Sequence, residues 1–288
     1  MTNDSGFIIK DNPWQIKKLF SEHQKEESLN SAPAEWDLLS HVSINNDLMF
    51  IFKARTKDSI SLVAISDVNS RSYVITSYKI DSDNDPYIEL IKRDDGGFSY
   101  VVRGMYNSVK NKQLSNYYRI DIVDGTLSEP QTISQPTEDL EKEDWIGYCG
   151  EKSCESVLTS PDGKWRLASG DDKIKYLYEG VFYFPHDRPD LGVNVFISGV
   201  EKQKDDGWSY SRNYSWGLGD SFFFDNDGAM ACIWKIDISK KTTERILPIE
   251  GLRQPYYIDY DDEEYVVSRY VSETDDDKVM AGFYISKK

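Results

Sequence analysis

Residues Thr159–Ser169 read "TSPDGKWRLAS". Within them Pro161-Asp162-Gly163 is a turn tripeptide: proline presets φ at the first turn position, aspartate bonds its own backbone, and glycine takes a positive φ without steric cost. Short apolar segments on either side complete the pattern of a β-hairpin. The same event, an apolar strand, an acidic or Gly turn and a second apolar strand, occurs at four other places: "HVSINNDLMFIFKA" from His41, "IELIKRDDGGFSYVVRG" from Ile88, "SFFFDNDGAMACIW" from Ser221 and "PYYIDYDDEEYVVSRY" from Pro255. Most of these hairpins are followed by a further strand and turn, beginning at Ile60, Asn116, Val193, Cys232 and, cut short by the C-terminus, Lys278.

Two successive hairpins make a four-stranded antiparallel meander. One meander cannot bury both of its faces alone, whereas several stacked radially can, and that arrangement is a β-propeller. The expected fold is therefore all-β, a propeller-like array of five or six blades spanning residues 36–288 as a single domain. Residues 1–35 form an N-terminal segment that packs on it. In that segment Asn12 suits a helix cap and Pro13 a first helical position, so "WQIKKLFSEHQKEES" predicts a short N-terminal helix.

The stretch "SPDGKWRLAS" resembles the strand-turn-strand signature of TolB-like and WD40-like propeller repeats. The resemblance covers one blade, with "FFFDNDGAMACIW" a looser second copy. The only Trp-Asp pair, Trp36-Asp37, lies upstream of the array, so the WD40 subfamily itself is not supported. What the resemblance implies is a propeller fold and a habit of binding partners; it brings no catalytic residues.

The chain of 288 residues carries 50 acidic and 34 basic side chains, a formal charge of −16. Such a field repels phosphate backbones and anionic lipid, which excludes nucleic acid and membrane surfaces as expected partners and favours a basic protein or cationic ligand. The opening "MTNDSGFIIKDNPW" has no basic region followed by a long apolar run, and no later stretch approaches a membrane span, so a cytoplasmic location is expected. Cys149, Cys154 and Cys232 are too sparse for a disulfide framework, and Cys149 and Cys154 are expected to be reduced.

Motifs that carry chemistry are missing. An Asp-box of the sialidase type needs Ser-x-Asp-x-Gly-x-x-Trp, but Gly163 directly follows Asp162 and Trp165 falls too early. The acidic run "DSDNDPYIE" from Asp81 to Glu89 holds Pro86 and Lys92 where a calcium loop needs Gly and Glu, and it reads as a solvated turn, as do Asp225–Gly228 and Asp259–Glu264. His23, His41 and His186 stand apart, outside any zinc-ligand spacing. The sequence also lacks a nucleophile elbow, a phosphate-binding loop and a dinucleotide fingerprint. No catalytic residue, metal or cofactor is expected, although a glycosidase built from scattered carboxylates would leave no spacing rule to find.

The most unusual local composition is "DDGWSYSRNYSWGLGDSFFF", from Asp205 to Phe224. Trp208, Tyr210, Tyr214 and Trp216, interleaved with small polar residues and Arg212, match the mixture used by binding surfaces. Their period-two spacing equally fits strands whose rings face a core. With Asp205, Asp206, and His186 and Asp187 from an expected irregular loop over Tyr178–Gly192, these residues form the expected partner-binding set. The functional expectation is a non-enzymatic protein-binding module, an immunity-type inhibitor that neutralises a cognate, basic toxin by charge-steered association. A propeller glycosidase or carbohydrate-binding protein and a cytoplasmic scaffold are the alternatives.

Overall fold

The computed structural model describes residues 8–10, 14–21, 35–68, 71–82, 84–94, 96–107, 112–135, 157–170, 180–195, 210–226, 232–246, 252–273 and 279–288. Two short strands come first, β1 (Ile8–Lys10) and β2 (Gln15–Ser21). The chain then lays down one sheet after another. In the first, β3 (Glu35–Ile44), β4 (Asp47–Arg55), β5 (Ser59–Ser66) and β6 (Ser72–Lys79) lie side by side in sequence order. The second is made of β7 (Tyr87–Asp94), β8 (Gly97–Asn107), β9 (Lys112–Val123) and β10 (Thr126–Leu127), with β11 (Gln131–Ile133) also pairing with β9.

The third sheet contains β12 (Val157–Thr159), β13 (Trp165–Gly170), β14 (Gly180–Pro185) and β15 (Val193–Asn194). The fourth contains β16 (Tyr210–Trp216), β17 (Ser221–Asn226), β18 (Ile233–Asp237) and β19 (Thr242–Ile246), and β1 joins it beyond β19 as a parallel fifth strand. The last sheet has β20 (Leu252–Tyr260), β21 (Glu263–Glu273) and β22 (Val279–Lys287), with β2 beside β22 as its fourth strand. All five hairpins read from the sequence are antiparallel pairs here. The protein is all-β, built from antiparallel meanders, with no α-helix among the described residues.

Turn chemistry explains the register. Asn45 and Asn46, Asp124 and Gly125, and Asp261 and Asp262 all have positive φ, the two-residue turn whose twist matches that of the strands it joins. In the opening motif the Ser160 hydroxyl donates to Asp162 Oδ1 at 2.7 Å and accepts the Trp165 N–H at 2.9 Å. The Lys164 N–H also donates to Asp162 Oδ1, at 3.1 Å. Gly163 closes the turn at φ 72°.

Two expectations are corrected. The N-terminal segment is not a helix where it is described: Gln15–Ser21 is a strand. An isolated helix of this length is marginal in water, whereas β2 hydrogen-bonds beside β22, and Trp14 and Leu19 become buried. Residues 22–28, the rest of the expected helix, lie outside the described residues. Nor is Tyr178–Gly192 one irregular loop, because Gly180–Pro185 is the third strand of its sheet. Val181–Phe184 is an uninterrupted apolar run, buried on both faces, which alternation-based reading passes over. Among the described residues of this stretch, His186–Gly192 is irregular, around a short 3-10 turn at Pro189–Leu191.

The chain divides into two compact units, Met1–Lys18 with Glu143–Lys288, and Leu19–Lys142. In the first, one core joins the third and fourth sheets through Leu167, Tyr183, Phe222, Phe224 and Trp234, and another joins the fourth and fifth through Trp14, Phe223, Ile246, Leu252 and Val266. In the second, Ile51, Leu62, Phe98, Tyr100 and Ile120 fill the space between the first two sheets. Tyr78 and Tyr100 satisfy each other's hydroxyls at 3.0 Å, and burial pushes the Tyr100 phenol far above the usual tyrosine range.

Trp14→Ala is expected to cost about 3–5 kcal/mol, the range for large aromatic truncations in a core, measured by denaturant unfolding. The Lys164 side chain and the Ser160 hydroxyl hold the Asp162 pKa down to about 2. Because that lies below the ordinary 3.8, any stability from this carboxylate is fully present above 3.8 and is lost as pH falls toward about 2. A carboxyl NMR titration of Asp162 is expected to show its midpoint near 2; a midpoint near the ordinary value would mean that the turn is not formed.

Candidate functional site

The sequence-derived candidates scatter. Trp208, Asp205 and Asp206 lie outside the described residues. Tyr210 and Arg212 belong to β16, whose pairing with β17 is irregular between Tyr210 and Tyr214. Tyr214 is buried in the core between the third and fourth sheets, and Trp216 packs against it, edge-on to Phe222 at 5.6 Å. His186 follows β14, where Arg166 Nε donates to its Nδ1 at 3.3 Å and Arg166 Nη2 lies 3.1 Å from its Nε2. Asp187 is exposed, 3.8 Å from His186 Nε2. Cys232 is buried, and Cys149 and Cys154 lie outside the described residues.

A more constructed surface stands at one end of the second sheet. In β7 and β8, Ile88, Leu90, Phe98, Tyr100 and Val102 face the core, so Tyr87, Glu89 and Arg103 face away from it. Tyr87 is directly opposite Arg103. A bulge between Val102 and Met105 then adds a residue: Met105 turns back to the core three positions after Val102, and Tyr106 emerges on the same face as Tyr87. Tyr87 and Tyr106 are 43% and 40% exposed.

The bulge depends on Gly104. Its φ is 80°, and a Cβ there would stand 2.3 Å from the Asp85 carbonyl oxygen, so only glycine lets β8 approach the loop before β7. That loop is pinned from several sides. Asn84 Oδ1 accepts the Tyr106 N–H at 2.8 Å, while the Asn84 N–H and Nδ2 donate to Asp81 Oδ1 at 3.1 and 3.0 Å. Arg55 Nη1 donates to the Pro86 carbonyl at 3.1 Å, and its Nη2 pairs with Asp85. Asp81, Asn84 and Asp85 thus serve this turn, as the acidic-turn reading of "DSDNDPYIE" expects; Asp83 is outside the described residues.

Beside Tyr87, Arg103 Nε donates to Glu89 Oε2 at 2.8 Å and Arg103 Nη1 to the Ser115 hydroxyl at 3.3 Å. Exposed pairs of this kind contribute at most about 1 kcal/mol, so their consequence is orientation more than stability. The result is the half-exposed Tyr87 beside a guanidinium–carboxylate pair and a hydroxyl, with the half-exposed Tyr106 three residues beyond Arg103 on the same face. Such a face combines aromatic surface with hydrogen-bond donors and acceptors. Among the described residues no group of three or more His, Cys, Asp or Glu is placed to hold a metal ion, and no helix is long and apolar enough to cross a membrane.

Sequence reading treated "IELIKRDDGGFSYVVRG" as a hairpin and assigned none of these four residues a role. The available signal was Arg103-Gly104-Met105-Tyr106 at the end of a strand, since an isolated glycine inside a strand pattern marks a bulge or a close backbone approach.

No family model and no curated protein matches the chain. Among solved structures it is similar to a xylan β-1,4-xylosidase from Bacillus halodurans C-125, at 12% identity over 88% of this chain and 53% of that one, TM-score 0.34. It is also similar to the GH43_1 enzyme from Xanthomonas citri, at 8% identity over 89% and 95% of the two chains, TM-score 0.36. A third is TolB from Acinetobacter baumannii, at 12% identity over 89% and 55%, TM-score 0.27. The chain spans about half the length of the xylosidase and of TolB. The expectation of a toxin-neutralising inhibitor is corrected by these comparisons: the solved structures matched are mainly glycoside hydrolases, and no family model supports an inhibitor. At these scores the likeness brings no substrate and no catalytic residue to this chain.

Gly104→Ala is expected to destabilise the protein by more than about 1 kcal/mol, because a positive φ and a backbone collision act together. Thermal unfolding measures this, and a neutral result would show that the loop yields freely.

Proposed function

We propose that the protein is a carbohydrate-active β-propeller that recognises glycans through the Tyr87–Tyr106 face. In this reading the five consecutive meanders are five blades, with the last completed by the N-terminal strand β2. The observation that carries the glycan reading is the half-exposed Tyr87 beside the Glu89–Arg103 ion pair, with half-exposed Tyr106 further along β8 on the same face. Saccharide rings present flat C–H faces and a rim of hydroxyls. Tyrosine matches the former with its ring and the latter with its O–H, while carboxylate and guanidinium groups accept and donate to hydroxyl pairs. The local scaffolding supports the same reading, since a bulge, a positive-φ glycine and the Asn84 contact set Tyr106 on the same face as Tyr87.

Calorimetric titration of the full chain with a panel of neutral hexose and pentose oligosaccharides tests the proposal, together with an assay for released reducing ends. Saturable binding is expected. Tyr87→Ala and Tyr106→Ala should each weaken it at least tenfold, about 1.4 kcal/mol, with the circular dichroism spectrum unchanged. Absence of both binding and hydrolysis across the panel would sink the proposal; release of reducing ends would add cleavage to recognition.

A further inference from the structure

Independently of the carbohydrate reading, we propose that β6, the last strand of the first sheet, is a self-association edge. Two copies of the chain pair their β6 strands antiparallel about a two-fold axis, and two four-stranded sheets become one continuous sheet.

A strand at the end of a sheet shows a row of unpaired N–H and C=O groups, and folded proteins blunt such edges with very short strands, lysines or a covering segment. The corresponding ends of the other sheets are treated in this way. Strands β10 and β15 have two residues each, β1 covers β19 with three residues, and β2 carries Lys17 and Lys18. β6 is different. It has eight residues, pairs among the described residues with β5 alone, and from Ser72 to Tyr78 contains no charge, proline or glycine. Tyr73 and Val74 are 43% and 40% exposed, and Ser77 and Lys79 are exposed as well.

The ladder with β5 decides which backbone groups of this edge are on offer. The Ser66 N–H donates to the Arg71 carbonyl at 2.9 Å, and the Ile80 N–H to the Asp58 carbonyl at 2.8 Å. Hydrogen-bonded positions alternate along an antiparallel pair. Counting inward from these two ends, Tyr73, Thr76 and Tyr78 turn their backbone groups to β5, whereas Ser72, Val74, Ser77 and Lys79 turn theirs outward. The register shift opposite Leu62 and Val63 makes Ile75 the extra residue, and this moves the outward set from even to odd positions halfway along the strand.

The edge is therefore complementary to itself. In the antiparallel register that sets Val74 opposite Ser77 of a second copy, Ser72 falls opposite Lys79, and the two-fold axis repeats both pairs. Every outward position then meets an outward position, a match between the two halves of one strand that points to a second copy as the occupant. The same register sets Tyr73 opposite Tyr78 as an aromatic cross-strand pair and opposes no like charges, since Arg71 meets Ile80 and Lys79 meets Ser72. Two chains of formal charge −16 repel one another at longer range, and salt screens that repulsion, so the dimer is tighter at high salt than at low.

Sedimentation velocity of the full chain over a range of concentrations, at low and at high salt, tests the proposal together with residue-resolved amide exchange at both ends of that range. A concentration-dependent dimer is expected, several-fold tighter at high salt. In it the amides of Ser72, Val74, Ser77 and Lys79 exchange at least tenfold more slowly than in the monomer, while those of Tyr73, Thr76 and Tyr78, already bonded to β5, change much less. Val74→Pro removes an outward N–H at a position that gives none to β5, and Val74→Lys places a charge on the edge. Each is expected to weaken the dimer at least tenfold with the circular dichroism spectrum unchanged, and the lysine variant keeps the test decisive should the proline unfold the strand. A monomer at every concentration and salt overturns the proposal. So does a dimer that forms without slowing those four amides, or one that Val74→Lys leaves at full strength.

Discussion

The last sheet is finished by the beginning of the chain, and the rest of its unit depends on that join. A three-stranded edge at β22 would present a row of unpaired backbone groups; β2 covers it. Just before β2, Trp14 seats its ring edge-on against Phe223 at 5.9 Å, in the core that joins the fourth and fifth sheets. The Lys235 and Lys288 ammonium groups lie 5.9 and 5.8 Å from the Trp14 ring centroid. Lys235 is almost fully buried, and that burial pushes its pKa down against the opposing pull of Glu264, 2.6 Å away. A buried ammonium is tolerable only with such a partner, and removing one member would leave the other stranded. Lys288 extends the network to Glu244 at 3.2 Å and Glu264 at 3.6 Å, so β18, β19, β21 and the final residue are tied around one N-terminal indole.

The second unit shows how the same kind of scaffold carries a surface. Its core is filled by alternating side chains of β3–β5 and β7–β9, which fixes the faces of those strands. Against that fixed alternation, one extra residue in β8 is enough to change where Tyr106 points. The loop from Asp81 to Pro86 is organised around the change: Asn84 takes up the Tyr106 N–H, and Gly104 leaves room for the Asp85 carbonyl. Polar side chains that look like candidate ligands in a linear reading are occupied in holding a strand end. This is a common fate of Asp and Asn in turns, where their short side chains bond the local backbone.

Much of the architecture was legible because it is local. The turn pairs Asn45-Asn46 and Asp261-Asp262, and the Ser160–Trp165 turn, announce themselves through residue chemistry, and the alternation beside them sets each hairpin. The candidate face was much less legible. Tyr87 and Tyr106 are 19 positions apart and separated by a bulge, and nothing in composition distinguishes them from the tyrosines that fill cores, such as Tyr100 and Tyr183. The aromatic run ending in Tyr214 and Trp216 drew attention by its richness, yet those two rings pack inward. Richness in aromatics reports buried area as readily as recognition.

By itself the sequence determined the class of fold, the five hairpins and the turns that join them, since each is decided by residues within about ten positions of one another. Only the tertiary structure decided that Gln15–Ser21 is a strand, that Gly180–Pro185 belongs inside a sheet, and that Tyr87, Glu89, Arg103 and Tyr106 share a face. In each case the deciding term is non-local. A ladder offered by a distant strand, burial on both faces, or the close approach of one backbone to another outweighs a local preference worth at most about 1 kcal/mol per residue.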